Sequence, residues 1–173
     1  MMGRLAMVWG LLGVAALLLQ ALTRLTPMAV EALSGELTVV QWIVVGVWVP
    51  VMAHAEGYRG FHTRFSPRVV ARAQVLREDP RPLWVVFAPL FCMSLFHASR
   101  RGLLVARILV AAITLLVIGV RQLDQPWRGI IDAGVVVGLA IGLLSIGYHL
   151  VRALGGHAPP VPPDLPPPSE ADA

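Results

Sequence analysis

Ionisable side chains set among apolar residues are the first places to look for chemistry, because removing them from water is costly unless they have a partner or a task. His54, Glu56, His97 and His149 each stand at the end of an apolar run, and Asp132 stands just inside one. Brought together, three imidazoles and a carboxylate would suit a metal ion, a haem or a proton relay. None of them has the tight spacing of a helical metal motif such as HExxH, so amphipathic residues at the water line are the plainer reading. Asp132 has Asp124, Arg121 and Arg128 nearby. A paired boundary charge is its plain account; an ion or substrate contact is the sharper one. No nucleophile elbow, phosphate-binding glycine loop, dinucleotide fingerprint or zinc deaminase signature occurs. Enzymatic activity is therefore left open, and no cofactor is named.

These residues need elements to hold them, and composition says what kind. Of 173 residues, 57% are hydrophobic and 14% charged, against an apolar share of about 45–50% in soluble domains. Mean hydropathy is +0.73, so lipid must be the solvent for much of the chain. The net charge of +4 comes from 14 arginines without one lysine. They flank apolar segments, where membrane topology puts positive charge, so nucleic acid is not an expected partner. The single cysteine, Cys92, lies in an apolar run and excludes an internal disulfide or a CxxC pair.

A spanning helix needs about 20 mostly apolar residues. Residues 5–23, 37–53, 102–120 and 130–148 meet or approach this, with Trp42 and Trp48 anchoring the second. The first run exceeds a signal-peptide h-region of about 7–15 residues, which predicts an uncleaved helix. Pro50 cannot donate to the carbonyl of Gly46, which predicts a kink. Residues 83–99 are apolar but short and carry Pro89 at their middle. Residues 156–173 are proline-rich and polar, which predicts a disordered tail.

Between the second and third apolar runs lies HAEGYRGFHTRFSPRVVARAQVLREDPRP, residues 54–82, with six arginines. It reads as a basic cytoplasmic loop. Within it, residues 67–77 form an expected amphipathic helix, with Ser66 as N-cap and Pro67 at the first helical position. Val69, Val70, Ala73 and Leu76 share one face. Arg68, Arg72 and Arg77 would meet anionic headgroups, at about 1 kcal/mol each. Arginine placement then sets the topology. If residues 83–99 dip in and return, or lie at the interface, eleven arginines fall inside and three outside; if they cross, nine fall inside and five outside. The first split is the stronger bias. It predicts an all-α polytopic bundle of four spans plus a re-entrant or interfacial segment, with five spans as the alternative. The N-terminus is cytoplasmic and the location a bacterial inner membrane.

Gly134, Gly138 and Gly142 recur every four residues on one helix face. Small residues there let another backbone approach closely. The mate is either a helix of this chain, with Gly10 and Gly13 as candidates, or a second copy.

Three functions follow in order. The first is a non-enzymatic packing, assembly or accessory subunit, possibly of a transport complex, with lipids and other membrane helices or its own copies as partners. The second is an oligomeric small transporter or channel using His54, Glu56 and Asp132. The third is a membrane enzyme or metal- or haem-binding protein at the cytoplasmic headgroup level.

Overall fold

The computed structural model describes residues 2–167, and within them every regular element is a helix. In chain order these are α1 (Met2–Ser34), α2 (Val39–Met52), a π-helical stretch (Ala53–Phe65), α3 (Ser66–Glu78), α4 (Pro82–Val86), α5 (Ala88–Cys92), α6 (Arg100–Val120) and α7 (Trp127–Leu154). Four helices are long and apolar enough to cross a membrane: α1, the continuous helix Val39–Glu78, α6 and α7.

The largest departure from expectation is that residues 54–78 are not a loop. α2, the π stretch and α3 form one unbroken helix of 40 residues. Its start is fixed by a capping box: the Thr38 hydroxyl accepts from the Gln41 N–H at 3.4 Å, and Gln41 Oε1 accepts from the Thr38 N–H at 2.9 Å. Pro50 does not break it. The wider i→i+5 register begins three residues later, the kind of local adjustment that lets a membrane helix absorb a proline. Ser66 does not cap a new helix, because the helix runs through it. Its hydroxyl instead donates to the Gly142 carbonyl at 3.2 Å.

α1 and α7 lie antiparallel and form the spine. Gly129, at the start of α7, meets Met28 and Ala32 near the end of α1, while Ile146 shares the core with Ala6 and Met7 at the other end. The 40-residue helix runs parallel to α7, with Trp48, Glu56 and Phe61 set against Gly134, Gly138 and Gly142 in turn. Each glycine receives a large side chain: a Cβ on Gly142 would stand 2.6 Å from the Phe61 ring. The Trp48 indole donates to the Ile131 carbonyl at 3.2 Å, tying the same two helices. Gly10 and Gly13 do not take part. They admit Cys92, Leu76, Ala88 and Pro89, which sets α5 and α3 against α1.

Residues 82–99 form two one-turn helices and an irregular turn. Pro89 sits in the first turn of α5, where a missing N–H costs nothing. Val69, Val70, Ala73 and Leu76 of α3 join Val14, Ala88 and Phe91 in the core, all fully or almost fully buried. The apolar face of α3 is thus met by protein, not by lipid. α6 is the exception to this packing. Gly102 alone among its residues is buried, and it lies against Asp164.

The proline-rich segment also differs from expectation over its described part. Residues 158–163 lie along Ala71, Gln74, Val75 and Glu78 of α3, and Asp164 docks on the start of α6. Polyproline backbone makes no internal hydrogen bonds, so its carbonyls are open to outside donors. Residues 168–173 lie outside the described residues.

Candidate functional site

Arg72 is the most buried charge, at 0% exposure. Its place follows from helical spacing: it is three residues after Val69 and four before Leu76, so it shares their inward face. A guanidinium has five N–H donors, and all five are used. Nε donates to Phe91 O, Nη2 to Phe96 O and His97 O at 3.0 Å each, and Nη1 to Pro163 O at 2.8 Å and Asp164 O at 3.3 Å. The group also lies 4.1 Å from the Phe91 ring centroid. Ser94, His97 and Asp164 adopt positive φ around it. Such conformations persist where surroundings over-determine them, and here they accompany carbonyls turned onto one cation. The expected headgroup contact of Arg72 is therefore corrected: it is an internal clamp joining α3, α5, the following turn and the proline-rich segment. Arg77 is exposed at the end of α3, and Arg68 is half-buried with its Nε lacking a hydrogen-bond partner.

Asp164 extends the clamp. Its carboxylate accepts from Ser99 Oγ at 2.7 Å and its carbonyl accepts from the Ser99 N–H at 3.1 Å. Ser99 Oγ in turn accepts from the Gly102 N–H at 3.0 Å, capping α6. A carboxylate at a helix N-terminus is favoured by the helix dipole. A Cβ on Gly102 would stand 2.1 Å from Asp164 Oδ2, so any larger residue would displace the carboxylate from this position.

Between α6 and the rest lies a cavity of about 580 Å³. Its walls come from α1, the π stretch, Arg68 of α3, Cys92 of α5 and the residues after it, α6 and α7. Four buried side-chain polar atoms lack a hydrogen-bond partner among the described residues: Glu56 Oε2, Arg68 Nε, Ser94 Oγ and Asp132 Oδ2. All four residues line this cavity. Asp132 is 4% exposed, and its closest cation is Arg128 Nε at 4.0 Å. Glu56 and Asp132, proposed from sequence as ion or substrate contacts, thus share one cavity. His54 does not line it and stacks on Tyr58 at 5.9 Å.

The histidines do not converge as a single cluster. His149 and His62 pair, with ring centroids 5.1 Å apart; His149 Nε2 lies 2.9 Å from the His62 carbonyl, and His62 Nδ1 lies 3.0 Å from Ser145 Oγ. His97 stands apart in the turn after α5, its ring tilted against that of Trp84 with centroids 4.4 Å apart. Burial lowers its affinity for a proton, and nearby Arg72 and Arg81 lower it further. Burial pushes the Cys92 thiol up to about 12 against the pull of Arg72, which keeps it protonated and unreactive. Among the described residues no three His, Cys, Asp or Glu side chains are placed to hold a metal ion together.

Sequence reasoning overlooked His62, Ser94 and Asp164. The i, i+4 series His54, Tyr58, His62 was a readable signal for the first; the other two act through backbone turns that spacing does not reveal. No family model, curated protein or solved structure matches this chain.

Proposed function

We propose that this chain is a non-enzymatic inner-membrane protein of a bacterium that serves as an accessory or assembly subunit, docking a partner's helix on the outward face of α6. In this reading four spans cross, residues 83–99 are re-entrant, and the N-terminus is cytoplasmic, as the arginine distribution favours. The carrying observation is α6 itself: a helix of 21 residues, mostly apolar, with almost nothing packed on it. Arg107 is exposed on this helix, on the side away from the cavity-lining positions Ala106, Leu109 and Ile113. α6 has no acidic residue. Parallel pairing of two copies through this face would set guanidinium against guanidinium. A partner helix with a carboxylate at that depth gives the complementary contact.

A photo-crosslinker at Ile108 or Leu115 tests this in cells. The expected result is one discrete adduct with another membrane polypeptide, lost in Arg107→Gln. Adducts with lipid alone, unchanged by that substitution, would overturn it. The transporter reading is favoured by one observation, the two orphaned carboxylates Glu56 and Asp132 in one cavity. Ion flux in proteoliposomes that is lost in Glu56→Gln and Asp132→Asn would put it first.

A further inference from the structure

The concentration of unmet polar atoms in one place is the least explained feature of the molecule. Buried polar groups almost always have a hydrogen-bond partner, and exceptions call for an account. Here all four exceptions among the described residues face the same cavity. Two of the residues concerned, Ser94 and Asp132, are 4% exposed, so solvent at the protein surface does not meet their needs. Much of the remaining lining is apolar, including Leu17, Leu109, Ile113, Val117, Val135 and Leu139. The space is a cleft open along α6, whose lining residues Leu109 and Ile113 are about half exposed. An apolar cleft with a few placed polar atoms is the composition of a ligand site, and its volume falls in the usual range of about 300–1,000 Å³.

Shape and charge narrow the ligand. The α6 residues on the cavity run from Gly102 to Arg121. At 1.5 Å per residue this is about 28 Å, close to the roughly 30 Å of a bilayer's hydrocarbon. The space is therefore long enough for an extended acyl chain. One end gathers Arg24, Arg121 and Arg128 with Asp132. Their common level is fixed by neighbours: the Met28 carbonyl, one turn beyond Arg24, accepts from Gln125 at 3.4 Å and faces Gly129, beside Arg128. Three guanidiniums and one carboxylate leave an excess of positive charge. Arginine pairs with phosphate through charge-assisted, often bidentate hydrogen bonds. Asp132 Oδ2 is an acceptor with no hydrogen-bond donor among the described residues, and a hydroxyl supplies one.

We propose that the cavity between α6 and the bundle binds an anionic membrane phospholipid with a hydroxylated headgroup, its phosphate at Arg24, Arg121 and Arg128, its hydroxyl donating to Asp132, and an acyl chain along the inner face of α6. A zwitterionic head with an ammonium would also meet Asp132, yet it would leave the arginine excess uncompensated. This site is independent of the docking partner, because it uses the inward face of α6 and the partner uses the outward one.

The test uses the full chain in vesicles containing equal amounts of phosphatidylglycerol, phosphatidylethanolamine and phosphatidylcholine. After mild extraction, native mass spectrometry counts the lipid that stays bound. The expected result is preferential retention of phosphatidylglycerol by about tenfold over either other lipid, equivalent to about 1.4 kcal/mol. Arg24→Gln with Arg128→Gln should abolish the preference. In a second mixture of phosphatidylglycerol with phosphatidic acid, which has a phosphate without the glycerol hydroxyls, Asp132→Asn should reduce discrimination between the two. Ala106→Trp, which fills the cavity, should remove the bound lipid, while Leu104→Trp on the opposite face should leave it. Melting temperature reports whether each variant folds. Equal retention of the three lipids, a preference for phosphatidylethanolamine, or retention unchanged in a folded Ala106→Trp would overturn the proposal. None of these outcomes bears on crosslinking at Ile108 or Leu115.

Discussion

The helix Val39–Glu78 and α6 invert the usual relation between hydropathy and burial. The first carries Glu56, His62, Arg68 and Arg72, yet it lies against α7, and its last part is a centre of the core. The second, from Leu103 on, is Leu, Ile, Val and Ala but for Arg107, Thr114 and Gly119, yet the helix buries Gly102 alone. In lipid an apolar surface gains nothing from being hidden, because acyl chains are as apolar as leucine. What holds helices together there is close packing and hydrogen bonding. The polar helix has both, through the glycines of α7 and through Ser66, Trp48 and Arg72. α6 is tied chiefly by Ser99 and Asp164 at its first turn.

Removing the cation from each region gives the largest contrast. Arg72→Ala takes a donor from five buried carbonyls, of which those of Phe91 and Asp164 keep a backbone N–H. It should cost about 3–5 kcal/mol, since each buried acceptor left unmet costs about 1–3 kcal/mol. Arg107→Ala on α6 should stay within about 0.5 kcal/mol. Thermal unfolding in detergent reads both, and equal effects would break the comparison. Next come the glycines. Gly142→Ala forces a Cβ to 2.6 Å from the Phe61 ring and should cost about 1–3 kcal/mol by overpacking. Gly119→Ala in α6 meets nothing within 4 Å and should be neutral or slightly stabilising. The same melting series checks this.

The smallest effect sharpens the comparison at the joint between the regions. His97 lies in the turn that leads to α6, and its proton affinity is lowered by burial and by Arg72 and Arg81. The unfolded chain therefore binds a proton more readily than the folded one. The associated stability is present above the unfolded value of about 6.5 and is lost as pH falls below it toward the lower folded value. His97→Gln should remove part of the pH dependence of melting between about pH 7 and 5, and an unchanged profile would count against this account.

Several features were legible before any coordinates. The apolar runs 5–23, 102–120 and 130–148 each fall inside a helix long and apolar enough to span. The glycine spacing on α7 was readable as a face, although its neighbours, Trp48, Glu56 and Phe61, were not. Of the six arginines in residues 54–82, Arg72 alone is buried, against the expectation that charge density marks contact with water. At Arg72 the periodicity already argued otherwise, since that residue shares a face with Val69 and Leu76.

Composition and periodicity by themselves determined that the chain carries segments apolar enough to cross a membrane, that its elements are helices and where the small-residue face lies. Those are consequences of local chemistry: transfer free energy, backbone hydrogen bonding and the 3.6-residue repeat. Only the tertiary structure decided where the polar atoms go. Five carbonyls from three separate segments meet Arg72, while Glu56, Arg68, Ser94 and Asp132 are gathered around one cavity without partners. Such pairings join residues up to 92 positions apart, and a hydrogen bond depends on distance and direction in space, which spacing along a chain does not encode.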